Sequence, residues 1–415
     1  MSERRGNEDR FRQAAMRTFV IALSLFYAFC AVPLAQGYAF NLIVPDVRQP
    51  VAISGGSACP VPARQSVTAG SLAIRWSTAL NVAPVTVLTA DQTPSGRLNE
   101  IEQVVRQSLA TWTSVSGTSL TASSLAPLSR IAAASACGTD GINSICFDQP
   151  DMAFTPGVLA FTRVVTADGI GQQIGNGQVS TVPGQILDAD IYFNPGDPHT
   201  TFATPASLAT NPVAYDLESV LTHELGHLLG FSHSAVWSAM MFPFAAALGT
   251  FTGLRPTVQR PDLPLGDDDR TGLRALYPNP NDTLNAGTIR GRILPANALS
   301  LPASPPGVSG IFAAHVVAVD GTSGAVIAGT IGGWSCSGVG PAVFDGSYAI
   351  EKLPIGSSYL VYAEPLDGVV DPSQISNATA TLCRNSSSDP GWPSQQGCVV
   401  PPVNATFTTR TLPGP

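Results

Sequence analysis

Charge is what this sequence has least of. Only 12% of its 415 residues are charged, about half the share of an ordinary soluble domain. The 44% hydrophobic fraction still argues against a disordered chain, which combines low hydrophobicity with high net charge. Basic residues are in deficit, 21 against 29 acidic ones, and the formal net charge is −8. With no basic surface to neutralise phosphates, nucleic acid is excluded as a partner class. Lysine is almost absent: Lys352 stands alone and the other twenty basic residues are arginines. Together with abundant Gly, Pro and Ala this reads as a compositional bias of the genome, not as a function. The length predicts two or three domains, each able to bury a real core.

The first 39 residues follow the plan of an export signal. Arg4, Arg5, Arg10, Arg12 and Arg17 precede an apolar run over residues 18–35, and small residues follow. Gly37 and Ala39 fit the −3 and −1 positions of a signal-peptidase site, so a mature start at Phe40 is expected, without stable membrane association afterwards. Of seven cysteines, Cys30 lies inside the apolar run, leaving Cys59, Cys137, Cys146, Cys336, Cys383 and Cys398. An even number in an exported chain favours disulfides, with fifteen connectivities open. Short separations favour Cys137 with Cys146 and Cys383 with Cys398.

Along the mature chain, SLAIRWST at residues 71–78 alternates as a half-buried strand would. Leu98, Ile101, Val104, Val105, Leu109 and Trp112 fall three or four apart and predict a helix over residues 97–115, ended at Gly117. Strands are expected at 157–165 and 186–194. A second helix is expected from an Asp216 N-cap to Leu229, with Gly230 as terminator. A third should start at Asp267 as N-cap, with Asp268 and Asp269 at the positive end of its dipole, and stop at Pro278. Residues 278–285 read as a linker. Beyond them, short alternating runs with turn signals point to a β-sandwich.

Residues 223–233 read HELGHLLGFSH and fill every fixed position of the pattern HExxHxxGxxH. Four residues apart, His223 and His227 project from one helix face, close enough to share a metal. A continued helix would carry His233 past that metal, so the chain must turn after Leu229, and Gly230 can take the required angles without a Cβ clash. Three neutral imidazoles leave a fourth position for water on a zinc ion, the arrangement of a catalytic site. Glu224 can accept that water's proton and pass it to a leaving amine. A buried helix whose histidines merely satisfy hydrogen bonds would be the better reading of a lone His. Here three of the chain's five histidines fall within eleven residues.

At these residues the sequence resembles the metzincin zinc peptidases, and among them the matrixins, through Ser234 directly after the third histidine and the downstream AMMFP. The resemblance implies an α+β catalytic domain with a twisted mixed sheet and three helices. It implies Met241 as the methionine turn beneath the metal, Met240 being its neighbour, and the segment 241–244 as the wall of an apolar pocket for the residue after the cleaved bond. It extends over about residues 71–278, from IEQVVRQSLATWTSVSG to DDRTGLRALYP. Two departures stand out. DADIYFN has none of the histidines that hold a second, structural zinc, so that site is expected to be absent. Asp188 and Asp190 offer instead either a calcium site (Ca2+) or plain solvated carboxylates at a strand edge. Residues 40–70 are too few for a folded prodomain; Cys59 could cap the zinc or join a disulfide, the disulfide being the commoner role.

Residues 285–367 resemble the carboxypeptidase regulatory-like β-sandwich appended to secreted enzymes, with His315 as an ordinary strand residue. The expected layout is thus a signal peptide (1–39), an extension (40–70), a matrixin-like peptidase domain (71–280), a β-sandwich (285–367) and a Cys-, Pro- and Ser-rich tail (368–415). The expected function is that of a secreted, monomeric zinc (Zn2+) endopeptidase cutting peptide bonds of extracellular proteins. The rival is a secreted adhesion or carbohydrate-binding protein with an incidental or inactive peptidase domain. Glu224 argues against it, because a purely binding zinc site needs no proton acceptor beside the metal.

Overall fold

The computed structural model describes residues 85–90, 98–121, 125–131, 143–147, 153–166, 186–194, 201–210, 212–282, 286–297, 299, 308–333 and 343–365. The expected signal, the extension, the strand at 71–78, the tail, His199 and every cysteine but Cys146 lie outside them. Among the described residues no helix is long and apolar enough to cross a membrane.

The first half is built on a five-stranded sheet. Its strands are β1 (Val85–Ala90), β2 (Leu125–Ile131), β3 (Asn143–Cys146), β4 (Ala160–Thr166) and β5 (Ile186–Phe193), in the order β2-β1-β3-β5-β4. All neighbours are parallel except β4, which runs antiparallel to β5 with Thr162 opposite Ile191. Between β1 and β2 lies helix α1 (Leu98–Thr113). Its apolar face is the one the spacing predicts: Ile101, Val104, Val105 and Trp112 are buried, each contributing about 1.5–3 kcal/mol. The mixed sheet and the long helices agree with the α+β expectation.

A small two-stranded unit follows, β6 (Phe202–Ala203) with β7 (Tyr215–Asp216), joined through the one-turn α2 (Pro205–Leu208). Then comes α3 (Leu217–Leu228), N-capped by Asp216, whose carboxylate accepts from the Ser219 N–H at 2.9 Å. Helix α1 braces α3: Trp112 Nε1 donates to the Thr222 carbonyl at 2.8 Å, and the Ser108 hydroxyl to the Glu218 carbonyl at 3.4 Å. Helix α4 (Asp267–Leu276) is capped by Gly266 rather than Asp267. The reason is that the Asp269 carboxylate at the third helical position reaches back to the Gly266 N–H at 2.8 Å, satisfying a donor at the helix start.

Asp188 and Asp190 are not solvated. Strand β5 lies inside the sheet, between β3 and β4, and both aspartates are buried. Asp190 accepts from the Ser144 N–H (3.0 Å) and the Tyr192 hydroxyl (3.2 Å) and lies 3.7 Å from Arg163, so its carboxylate is spent on joining strands. Cys146, also buried, is disulfide-bonded.

The C-terminal strands are β8 (Ala286–Arg292), β9 (Ala314–Asp320), β10 (Val326–Ile331), β11 (Ser347–Pro354) and β12 (Tyr359–Pro365). They form two antiparallel sheets, β10-β9-β12 and β11-β8. Their Val316, Ala318, Ala328, Ile350 and Leu353 share one buried cluster with Leu273 and Leu276 of α4, against which β10 and β11 lie. His315 is buried in β9, with Nδ1 2.9 Å from Glu364.

Candidate metal centre

Helix α3 ends where the chemistry requires. Leu229 is its C-cap, Gly230 has φ +101°, the Gly230 N–H donates to the His227 carbonyl (2.9 Å) and the Phe231 N–H to the Gly226 carbonyl (3.0 Å). This is a Schellman turn, which reverses the chain while satisfying helix-end carbonyls. Phe231 then buries its ring against Trp112, the centroids 5.2 Å apart. The Tyr277 hydroxyl adds a bond to the Leu229 carbonyl at 2.8 Å.

The turn brings His233 back to the helix face. The ring centroids of His223, His227 and His233 stand 4.8, 5.3 and 4.8 Å apart, and one nitrogen from each lies within 4.8 Å of the others. Two of the rings are held by carbonyls: His223 Nδ1 is 2.8 Å from the Met240 oxygen and His227 Nδ1 is 2.8 Å from the Phe231 oxygen. A carbonyl can only accept, so in both rings Nδ1 carries the proton and Nε2 keeps its lone pair. Burial, reinforced by the neighbouring His233, lowers the pKa of His223 to about 3, and burial lowers that of His227 well below the usual range. Convergent neutral imidazoles with oriented lone pairs are the donor set that zinc takes.

Glu224 lies beside them and is buried. Burial pushes its pKa up to about 7, opposed by the Thr162 hydroxyl, which donates to Oε2 at 2.7 Å and lies 3.0 Å from the Glu224 carbonyl. Thr162 is on β4, 62 residues away in sequence. No local pattern signals that contact.

Met241 is fully buried against Gly226, on the helix segment that carries the first two histidines. A methyl group at Gly226 would overlap the Met241 sulfur and the Trp112 ring, so glycine here is what lets both side chains reach the helix. Met240 supplies the carbonyl that holds His223. The Asp269 carboxylate in turn accepts from the N–H groups of Met240 (2.6 Å) and Met241 (3.2 Å). Its neighbour Asp268 accepts from the Ser234 hydroxyl at 2.8 Å. These aspartates, read from sequence as charges at a helix end, are buried anchors of the loop that carries the third histidine.

Of the expected pocket wall at 241–244, Met241 and Phe242 face the core, and Phe244 is exposed. Phe244 and the exposed Trp237 flank the Phe242 ring at 5.7 and 5.0 Å.

Mixed sheet, bracing helix, turned helix end and three converging histidines together form a candidate site for one metal ion. Comparison with known proteins finds a similarity over this region: the model described as Matrixin (Peptidase_M10) matches residues 161–278, from the strand bearing Thr162 to just past α4. The chain is 40% identical over 99 residues to Metalloendoproteinase 1-MMP of Arabidopsis thaliana, covering 21% of this chain and 24% of that one. It is 33% identical over 112 residues to Metalloendoproteinase 1 of Glycine max (26% and 30%) and 34% identical over 139 residues to Stromelysin-3 of Mus musculus (30% and 25%). The matches therefore span between about a quarter and a third of those relatives' lengths.

Proposed function

We propose that this protein is a secreted zinc-dependent endopeptidase acting on extracellular protein or peptide substrates. What supports the reading most is one arrangement: a buried glutamate on the helix turn that presents His223 and His227, both held neutral by burial, which converge with His233. His223, His227 and His233 would hold the ion, which when bound supplies Lewis-acid activation of water and of the scissile carbonyl. The chain's own groups do the rest. The Met240 and Phe231 carbonyls fix two ligand tautomers. Glu224 takes a proton from the attacking water at its carboxylate and returns it to the leaving amine. Its raised pKa suits both tasks, and a dication beside it would favour the ionised, proton-accepting form. Thr162 limits which way the carboxylate can turn. Pro243 and the exposed Phe244 are the accessible part of the segment proposed to meet the substrate residue after the cut. Secretion rests on the N-terminal signal pattern.

The test is hydrolysis of a denatured protein and a quenched peptide library by the mature chain, with chelation, zinc add-back and a Glu224→Gln control. Cleavage that needs zinc and falls by at least about a hundredfold in the variant is the expected result. Stoichiometric zinc binding without cleavage of any internal bond would overturn it in favour of a binding protein or a narrow amidase.

A further inference from the structure

One carboxylate links the C-terminal strands to the residue that follows the third histidine. Asp268, fully buried at the start of α4, accepts from the Ser234 hydroxyl with Oδ2 (2.8 Å) and from the Gly329 N–H of β10 with Oδ1 (3.0 Å). Ser234 follows His233 directly. Its own N–H donates to the Met241 carbonyl at 2.7 Å, and its hydroxyl accepts from the Val236 N–H at 3.0 Å. Ser234 is thus the pivot between the third histidine and the methionine under the site, and Asp268 holds the pivot. Strand β10 is the edge of its sheet, and its register leaves the Gly329 N–H pointing away from β9. What would be an unpaired edge donor is aimed at the carboxylate instead. The burial of Ala328 and Thr330 on either side makes that bond dry and directional.

We propose that the C-terminal sheet is a built-in clamp on the metal centre: β10, through Gly329 and Asp268, fixes Ser234 and hence His233, and so strengthens zinc binding. Gly329 and Asp268 are positioning residues; neither touches the ion. The inference rests on the zinc reading of the site, not on peptide hydrolysis. A chain lacking the clamp keeps its three histidines but lets the third wander. Outer partners of metal ligands typically change affinity by about 10–100-fold.

The experiment uses the full chain. Zinc affinity is measured by competition with a chromophoric chelator for wild type, Gly329→Pro, Asp268→Ala and the double variant, with circular dichroism as the check on folding. Proline removes the donated N–H and, at an edge position, spares the ladder to β9. Gly329→Pro is expected to weaken zinc binding about tenfold and Asp268→Ala by about ten- to a hundredfold. The double variant should be no weaker than Asp268→Ala, because the N–H acts through that carboxylate. A folded Gly329→Pro that holds zinc like wild type, or effects that add, would overturn the proposal.

Should the proline unfold the sheet, the wild-type chain still decides. Coupling is reciprocal, so zinc loading should slow hydrogen exchange of the Gly329 amide by about tenfold relative to the amides of β8. An unchanged ratio overturns the clamp. A wild-type chain that takes up no zinc sinks both clamp and zinc reading; one that shows the linkage but cuts no peptide sinks only the peptidase.

Discussion

The two histidines on the helix are prepared by different parts of the molecule. His227 is oriented by a carbonyl four residues away, inside the turn that ends its own helix. His223 is oriented by Met240, 17 residues away, and Met240 is held by Asp269, a further 29 residues along. One support is local and comes with the helix cap; the other depends on closing a long loop over the core. Local backbone geometry can fix a ligand by itself, but the second ligand ties metal binding to the integrity of the whole domain.

The comparison can be broken most strongly at Asp269. Replacing it by alanine strands the buried N–H groups of Met240 and Met241, each costing about 1–3 kcal/mol, and the half-buried one of Gly266. Thermal unfolding should drop sharply, and any zinc affinity that survives should fall about 10–100-fold. Gly230→Ala attacks the local support instead. At φ +101° a Cβ is strained by about 1–3 kcal/mol, seen as a lower denaturation midpoint. If zinc affinity falls more here than in Asp269→Ala, the ranking of remote over local support is reversed.

Thr162→Val keeps the shape of the strand residue and removes the hydroxyl bound to Glu224. Turnover should fall about tenfold, or about 1.4 kcal/mol in the barrier, with KM and zinc affinity unchanged and with rescue by Thr162→Ser. Equal losses in zinc binding would make Thr162 a scaffold residue only.

The smallest effect is expected at Glu218, at the opposite end of α3. Burial, then the nearby Asp216, raises its pKa from 4.5 to about 7, while Arg255 works the other way. Its folded-state pKa lies above the unfolded one, so folding binds a proton in this interval and stability is lost as pH rises from about 4.5 to 7. Glu218→Gln removes that loss. The variant should match wild type below pH 4.5 and exceed its melting temperature above pH 7; a gap that does not change with pH would assign the effect to packing.

The same division explains what was legible in the sequence. The histidine spacing, the Asp216 cap and the Gly230 stop are all encoded within residues 216–233, where periodicity and turn chemistry apply; Met241 is legible only through the resemblance to the matrixins. The face of α1 was legible for the same reason. Thr162 was not, because strand alternation says which side a residue faces and not which helix residue it meets. Asp268 and Asp269 fit the helix-dipole rule, which suits exposed charges; the structure instead has Asp268 meeting β10, 61 residues further on, and Asp269 under the Met240–Met241 loop that precedes it. Asp188 and Asp190 look like strand-edge residues in the sequence alone, because strand order in the sheet is not the order in sequence.

The Schellman turn also carries a consequence for assembly. Its bonds span three to five residues, whereas the brace at Met240 requires α4, which starts at Asp267, to return to the loop. Shorter closures form first. During refolding the chain therefore acquires one correctly oriented ligand with its helix and the other only when α4 docks, and an ion present from the start would meet a half-finished site before a complete one.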